Sequence, residues 1–348
     1  MSLSKERRGQ IADDIIQEIG SPSFSGFLDL ASLARHYGVT GQSVARLLTK
    51  LRGENRITAE TSGRSYKYSL PREEVEFDFP TDGLKEDEVF RKNIAAFISS
   101  APETPRRNFA YAFTEILNNA VEHSKSPAVT VCAAKTEAFI EFSIRDKGVG
   151  IFAKIAAALK LEDTSHAILE LMKGKFTTNP RNHTGEGIFF SSKAGDLFTI
   201  HSGNIVFTVS AFMRGTNEEY AFSSAAPPLD GTSVSFRVWF GHVETLAEVF
   251  SRFAPEDSFV KTVVPVKLLE QDSVMPIVSR SQARRLLARF EKFRAAELDF
   301  EGVSEIGQGF ADEIFRVFRN EYPEIEITPV NCGSAISAMI KRVTAAPR

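Results

Sequence analysis

Hydrophobic positions at the start of the chain repeat with the spacing of helices. Four isoleucines share one face of a predicted first helix: Ile11, Ile15, Ile16 and Ile19. Two shorter helices are predicted next, with Gly38 in the turn between them and Thr40 as the N-cap of the second. Residues 55–58 and 66–69 have the composition of two short strands. Residues 1–70 are therefore predicted to form three helices followed by a strand pair.

The rest of the chain divides into an acidic connection and two larger blocks. Residues 71–83 carry several acidic residues between prolines and are predicted to be a linker. Residues 84–243 hold a long amphipathic helix and several strands. Residues 256–348 alternate between strand-like and helix-like stretches, which is typical of a small α/β layer domain. The strand-like stretches of this last block are 263–269, 296–300 and 324–329. The expected fold class is therefore an α/β multidomain protein.

Composition sets limits on compartment and partners. The chain has 348 residues, of which 43% are hydrophobic and 25% charged, as in soluble globular proteins of two or three domains. Its net charge of −3 gives no global attraction for nucleic acid, so such contacts require a local basic patch. Cys132 and Cys332 form neither a metal-binding spacing nor a disulfide framework. No apolar run is long enough to span a membrane. We expect a cytoplasmic protein without a membrane partner, assembled as a homo-oligomer.

The long helix of the middle block, predicted over residues 104–123, carries two polar residues on one face. Glu115 and Asn119 are four residues apart and lie one turn from each other. The amide oxygen of Asn119 suits Mg²⁺, a hard cation that prefers oxygen ligands. Glu115 can polarise a water or hydroxyl that attacks a γ-phosphate. Taken alone, this pair is explained better as a solvated polar stripe.

A strand predicted over residues 139–145 runs directly into an acidic residue followed by two glycines. Asp146 can accept a hydrogen bond from the exocyclic amine of adenine. Gly148 and Gly150 allow the backbone to approach a base without a Cβ clash. For a single motif of this kind, an ordinary turn is the better explanation.

Two further glycine motifs follow along the chain. Gly185 and Gly187 open a predicted helix, whose free N–H groups and positive dipole end suit a triphosphate. Gly231 and Thr232 begin a predicted strand. The expected nucleotide-binding residues include two neighbours of the first pair, Thr184 and Glu186.

Taken together, these motifs resemble those of the GHKL (Bergerat-fold) superfamily, which includes type II topoisomerases, histidine kinases and anti-sigma-factor serine kinases. The matches in chain order are Glu115 and Asn119 with the N box, Asp146, Gly148 and Gly150 with the G1 box, Gly185 and Gly187 with the G2 box, and Gly231 and Thr232 with the final Gly-Thr motif. The resemblance implies a Bergerat-type α/β sandwich that binds ATP and Mg²⁺. It also implies that Glu115 is the catalytic base and Asn119 the Mg²⁺ ligand.

The resemblance further implies a mobile lid over the nucleotide, here roughly residues 152–184. Lys173, Lys175 and Arg181 are candidate phosphate contacts in this lid, with ordinary solvated residues as an equal interpretation. Glu122 departs from the pattern, because kinases of the superfamily often have a phosphate-contacting Lys or Arg there. The N box is preceded by no two-helix hairpin with a phosphoacceptor histidine, which argues against a conventional sensor histidine kinase.

The order of elements over residues 1–70 resembles a winged helix-turn-helix, an α+β fold. Its second short helix would enter the major groove of DNA, and basic residues beside it would contact phosphates. The expected DNA-contacting residues are Gln42, Ser43, Arg46, Lys50 and Arg64. A dimerisation or docking module with the same fold is the alternative.

The last block, residues 256–348, resembles the STAS-like domain of unknown function that bacterial proteins carry after such ATPase domains. In antagonist proteins with STAS domains, an Asp-Ser-Ser-Gly element opens a helix, and an anti-sigma kinase phosphorylates its serine. The matching stretch here is 307–310, which has no serine, and Ser304 falls before the helix. We therefore expect this domain to bind a regulatory protein or to report the nucleotide state.

Three functions are compatible with these residues. The first is a cytoplasmic, bacterial-type regulator that binds and slowly hydrolyses Mg-ATP, and couples nucleotide state to DNA or protein binding. The second is an anti-sigma-type protein serine/threonine kinase that acts on a separate protein. The third is a non-hydrolysing nucleotide-binding scaffold. The presence of Glu115 favours turnover over the third function, and the missing acceptor serine weakens a self-contained version of the second.

Overall fold

The structure is a computed structural model that describes residues 5–21, 24–63, 65–175, 185–211, 219–223, 225–254, 260–269 and 276–345. Within these ranges the strands form a two-stranded, a seven-stranded and a three-stranded sheet. The expectation of a mixed α/β protein with several sheets is therefore confirmed. No helix in the same ranges is long and apolar enough to cross a membrane.

The first region consists of three helices and a hairpin. Its elements are α1 (Lys5–Gly20), α2 (Leu30–Tyr37), α3 (Gly41–Gly53), β1 (Thr58–Ser62) and β2 (Ser65–Ser69). The Thr40 side chain accepts a hydrogen bond from the Ser43 N–H and caps α3. Gly38 ends α2 in the left-handed conformation at φ 63°. Both turn residues act as the sequence predicts.

This first region shares a hydrophobic core with one end of the seven-stranded sheet. Ala138, Phe139 and Trp239 of the sheet end are buried in the same cluster as the isoleucines of α1. The Trp239 indole Nε1 donates a hydrogen bond to the Gly20 carbonyl at 2.6 Å. A buried indole N–H needs a hydrogen-bond acceptor. This bond therefore fixes the position of the end of α1 on the sheet.

The seven-stranded sheet forms the centre of the molecule, and each adjacent pair of its strands is antiparallel. Its strands, in spatial order, are β3 (Glu73–Pro80), β4 (Ala128–Lys135), β5 (Phe139–Asp146), β9 (Leu229–Trp239), β6 (Leu197–Gly203), β7 (Ile205–Ser210) and β8 (Glu219–Ser223).

The prediction of a linker over residues 71–83 is corrected for residues 73–80. These form β3, which pairs with β4 along its whole length. Val75, Phe77 and Phe79 alternate with acidic residues and pack against the main core, which is the period of a half-buried strand. The charges and the closing proline suit a sheet edge that must not pair with other chains.

Helices cover one face of this sheet. They are α4 (Glu86–Val89) with a π-helical turn (Phe90–Ile94), α5 (Glu103–His123), α6 (Ile151–Leu159), α7 (His166–Lys173) and α8 (Gly187–Lys193). In α5, Phe109 and Phe113 are fully buried and contact the rings of Phe142 and Phe236. Each buried aromatic ring contributes roughly 1.5–3 kcal/mol. This packing holds the polar face of α5 at a fixed height above the sheet.

The C-terminal region has its own core and a parallel sheet in the order β10-β11-β12. Its elements are β10 (Lys261–Pro265), α10 (Arg280–Leu287), β11 (Ala295–Asp299), α11 (Gln308–Asp312) with a π-helical turn (Glu313–Phe318), α12 (Arg319–Glu321), β12 (Glu326–Val330) and α13 (Ser334–Ala345). The helix before it, α9 (Leu246–Phe253), buries Val249 and Phe253 in a separate cluster with Phe189 and Phe190 of α8. The predicted strand 263–269 ends early at Pro265, and a 3-10 turn, Val266–Leu269, follows. Proline has no N–H to continue the pairing with β11.

Candidate functional site

A pocket opens between α5, the end of β5 and the start of α8. It is lined by residues from all four predicted motifs: Glu115, Asn119, Asp146, Gly150, Gly185, Gly187 and Thr232. Gly148 and Gly231 line a second cavity along the loop that follows β5. Glu186 is the N-cap residue of α8, and Thr184 lies outside the described residues. Segments far apart in the sequence therefore meet at one pocket.

The polar pair of α5 lies on the pocket side of the helix. Glu115 and Asn119 are both half-buried. The Glu115 carboxylate reaches the start of α8, since a Cβ added to Gly187 would lie 2.1 Å from its Oε2. One turn earlier, the pKa of Tyr111 is raised by burial and then by the carboxylates of Glu115 and Glu186. Two acids therefore converge at the start of α8.

The donor set at this end of the pocket fits Mg²⁺ bound together with phosphate. Asn119 offers an amide oxygen as a metal ligand, and the carboxylate of Glu115 lies one turn away on the same helix. In the described part of the chain no three His, Cys, Asp or Glu side chains are grouped to hold a metal alone. Mg²⁺ commonly takes one or two protein oxygens and completes its shell with water and substrate phosphates.

Asp146 ends β5 and is 5% exposed. Its Oδ1 accepts a hydrogen bond from the Gly148 N–H at 2.8 Å. Burial raises the pKa of this carboxyl, while hydrogen bonds from the backbone of Gly148 and Thr232 oppose that shift. Thr232 lies opposite Asp146 in the β5–β9 pairing, and its Oγ1 accepts from the Ile151 N–H at 3.0 Å. These bonds tie the loop after β5 to the start of β9.

Gly148, in this loop, and Gly231, at the start of β9, allow close contacts within the protein. A Cβ at Gly148 would lie 1.9 Å from the Ser124 carbonyl oxygen, at the end of α5. A Cβ at Gly231 would lie 2.2 Å from the Asp146 carbonyl oxygen. The expected reason for Gly148, close approach of the backbone to a base, is therefore replaced by close approach to α5.

Several pocket residues belong to none of the predicted motifs. The apolar walls include Ile116, Ile144, Ile155, Leu171 and Val234. Lys154 of α6 also lines the pocket, and its Nζ donates to the His123 carbonyl oxygen at 3.0 Å. The helical spacing of Ile151, Lys154 and Ile155 indicates a shared face, but the sequence does not show which surface it meets. Glu122 is exposed and lies outside the described lining of the pocket.

The structure corrects the interpretation of Lys173 as a phosphate contact or a solvated lid residue. Lys173 is 0% exposed. Its Nζ donates to Glu170 Oε1 at 2.5 Å and to the carbonyl oxygens of Arg285 at 3.1 Å and Ala288 at 2.9 Å. The ammonium therefore points from α7 into the C-terminal region. Arg181 lies outside the described residues.

Further bonds extend this contact into an interface between α7 and the C-terminal region. Arg289 Nη1 donates to Glu170 Oε2 at 2.9 Å, and its Nη2 donates to the Lys175 carbonyl oxygen at 2.7 Å. Lys175 Nζ donates to the Lys292 carbonyl oxygen at 2.8 Å, so it too contacts the C-terminal region. Leu169 is buried in the C-terminal core, whereas Leu171 lines the pocket. We call Glu170, Lys173 and Arg289 the α7 charge cluster.

The residues predicted to contact DNA fall into three groups. Three are exposed on α3: Gln42, Arg46 and Lys50. Ser43 is half-buried, and its Oγ lies 2.9 Å from the Thr40 Oγ1, so it belongs to the N-cap of α3. Arg64 lies outside the described residues. Tyr66 on β2, which the sequence did not single out, is 48% exposed, with the Arg52 guanidinium 5.3 Å from its ring centroid.

In the C-terminal region, residues 307–310 lie at the start of a helix, as the sequence predicts. Gly307 is the N-cap residue of α11, which starts at Gln308. A Cβ at Gly307 would lie 2.6 Å from Val278 Cα, so a larger residue is excluded there. Ser304 is exposed and precedes the helix.

Comparison with known proteins identifies part of this region. Residues 282–336 match the STAS-like domain of unknown function DUF4325. The C-terminal region therefore contains a STAS-like domain, and the expectation is confirmed for those residues. No curated protein matches the chain.

One solved structure that matches part of the chain is titled as an IcIR transcriptional regulator from Alicyclobacillus acidocaldarius. It shares 12% sequence identity with the chain and covers 72% of this chain and 97% of its own, with a TM-score of 0.22. A TM-score this low supports no conclusion about fold or function.

Proposed function

We propose that the chain is a nucleotide-dependent regulator that binds Mg-ATP in the pocket between α5, β5 and α8. The proposal assigns residues 84–243 to the GHKL superfamily. The observation that carries it is the convergence of four separate motifs on one pocket, whose lining includes the amide of Asn119 and the buried carboxylate of Asp146. Polar groups that meet in a largely apolar cleft are typical of a small-molecule site.

The proposed roles follow from the position of each side chain. Asp146 accepts from the adenine amine, because a carboxylate held by backbone N–H groups keeps further acceptor capacity. Asn119 holds Mg²⁺, which neutralises charge on the phosphates. Glu115 acts as the base for a water or hydroxyl that attacks the γ-phosphate.

The α7 charge cluster offers a route by which nucleotide state can reach the STAS-like domain. Leu171 of α7 lines the pocket, and Glu170 and Lys173 bond to the C-terminal region. A nucleotide that shifts α7 must also shift or break these bonds. Only a ligand with different affinity for the two arrangements of α7 can move the equilibrium between them.

A turnover assay with γ-labelled ATP and Mg²⁺ tests the proposal, with free phosphate resolved from labelled protein. We expect the wild type to release phosphate, Glu115→Gln to bind ATP without turnover, and Asp146→Asn to lose ATP binding. Wild-type turnover by Glu115→Gln would remove that residue as the base. ATP binding without turnover in the wild type would leave a kinase that awaits a separate acceptor, or a nucleotide-sensing scaffold.

The output of the proposed regulator is binding of DNA or protein. The exposed side chains of Gln42, Arg46 and Lys50 on α3 support DNA as the partner of the first region. Residues 1–70 carry ten basic and seven acidic residues, against 42 and 45 in the whole chain, so positive charge is concentrated there. The STAS-like domain is proposed to bind a regulatory protein.

A further inference from the structure

The charges that line the pocket are mostly negative. Glu115 and Asp146 are both lining residues, and Lys154 is the one lysine or arginine among the described residues of the lining. A bound nucleotide adds the negative charge of its phosphates. Like charges brought together in a partly buried site repel strongly, so the phosphates need cationic partners.

Lys154 lies close to the end of α5 that carries the proposed Mg²⁺ ligand. Its Nζ donates to the carbonyl oxygen of His123, which follows Asn119 by one turn. One turn of helix advances by about 5–6 Å along the axis. The flexible four-carbon stem of lysine lets the ammonium change partners over such a distance without backbone movement.

We infer that Lys154 exchanges the His123 carbonyl for a phosphate oxygen of the bound nucleotide, and so selects nucleotides over nucleosides. This inference rests on the proposed function of the pocket. The His123 carbonyl oxygen is a neutral acceptor, whereas a phosphate oxygen carries formal negative charge and attracts the ammonium as an ion as well as through a hydrogen bond. The exchange is therefore favourable for the ammonium.

The surroundings of Lys154 support the same exchange. Burial and then the nearby Lys125 lower the pKa of Lys154. Both effects destabilise the charged form of Lys154 while its hydrogen-bond partner is a neutral carbonyl. An anion beside it offsets the lost solvation and the repulsion from Lys125 together.

The test compares binding of Mg-ADP and of adenosine to the full chain by isothermal titration calorimetry. Lys154→Gln should weaken Mg-ADP binding about tenfold to hundredfold, as for loss of a charged hydrogen bond, and leave adenosine unchanged. Lys154→Arg keeps the cation and should regain most of the ADP affinity. Lys160→Gln is the matched control, because Lys160 is exposed at the end of the same helix.

Each outcome decides between distinct conclusions. The inference is wrong if Lys154→Gln binds Mg-ADP as the wild type does, or loses Mg-ADP and adenosine by the same factor. Loss of Mg-ADP binding in both Lys154→Gln and Lys154→Arg would also contradict it. A wild-type chain that binds neither ligand would overturn the proposed function, and this inference with it.

Discussion

Removal of the central carboxylate of the α7 charge cluster is the most direct perturbation of the contact between the pocket and the STAS-like domain. Glu170 accepts from Lys173 and from Arg289, one on each carboxylate oxygen. The variant Glu170→Gln keeps the volume of the side chain and removes its charge. It leaves the two cations of the cluster close together, with Lys173 fully buried.

The expected loss of stability is large because the buried ammonium of Lys173 loses its counter-ion. Breaking a buried ion pair from one side typically costs about 3–5 kcal/mol. Lys173→Met on its own should cost less, because it removes a buried charge and leaves Glu170 paired with Arg289. The double variant Glu170→Gln with Lys173→Met should therefore be more stable than Glu170→Gln alone. Such a rescue is not additive, as expected for residues in contact.

Hydrogen exchange followed by mass spectrometry measures the effect locally, which suits a chain of several regions that need not unfold together. Glu170→Gln should speed exchange in α7 and α10 about a hundredfold or more, since each 1.4 kcal/mol is roughly tenfold. The control is Glu162→Gln, an exposed residue ahead of α7. Unchanged exchange in both helices, or a double variant less stable than Glu170→Gln, would refute the reasoning.

Three further predictions concern the loop after β5, the pH dependence of stability and the first region. Gly148→Ala should lower the free energy of unfolding by about 1–3 kcal/mol and abolish nucleotide binding, because its Cβ meets a carbonyl oxygen at 1.9 Å, and urea titration will measure it. Gly9→Ala, with open space around its Cβ, should be neutral or stabilising. Burial lowers the pKa of Lys173 to about 8 from its ordinary 10.5. Between these two pH values the unfolded chain binds more protons than the folded chain, so the stability of the fold rises with pH. Lys173→Met should lose part of that rise, which urea midpoints at about pH 7.5 and about pH 9.5 will measure. Arg46→Ala with Lys50→Ala should weaken duplex DNA binding and lower the salt slope by about 2, measured by titration at several salt concentrations.

The outcomes that contradict these predictions are equally specific. Wild-type stability of Gly148→Ala would mean that the loop is looser than its contact with α5 indicates. The same rise of stability with pH in Lys173→Met would place that titration elsewhere. An unchanged salt slope would point to protein docking by the first region rather than DNA binding.

Local patterns predicted much of the fold. The N-cap at Thr40, the left-handed turn at Gly38 and the strand–helix alternation of the C-terminal region are set by neighbouring residues, so one sequence suffices to place them. The alternation of apolar and acidic residues over 73–80 also indicates a strand. Its prolines and acidic residues led to the linker prediction instead.

The partners of long side chains were beyond prediction. Lys173 lies in a polar stretch that suggests a solvated lid, yet its hydrogen bonds go to carbonyls more than a hundred residues later in the chain. Lys154 likewise reaches the pocket only because α6 packs under the end of α5. No residue pattern near either lysine contains that information. Tertiary packing decides which polar side chains are buried, and sequence spacing reports only which share a face.

The chain contains a single tryptophan, and it lies at the joint between the first region and the seven-stranded sheet. Indole emission depends on the polarity around the ring and on the hydrogen bond of its N–H. Trp239 is buried and bonded to the Gly20 carbonyl, so separation of α1 from the sheet would expose the ring to water and shift its emission to longer wavelength. The protein therefore contains an intrinsic fluorescent probe at that joint, and a nucleotide-driven movement of the first region could be followed in real time without any label.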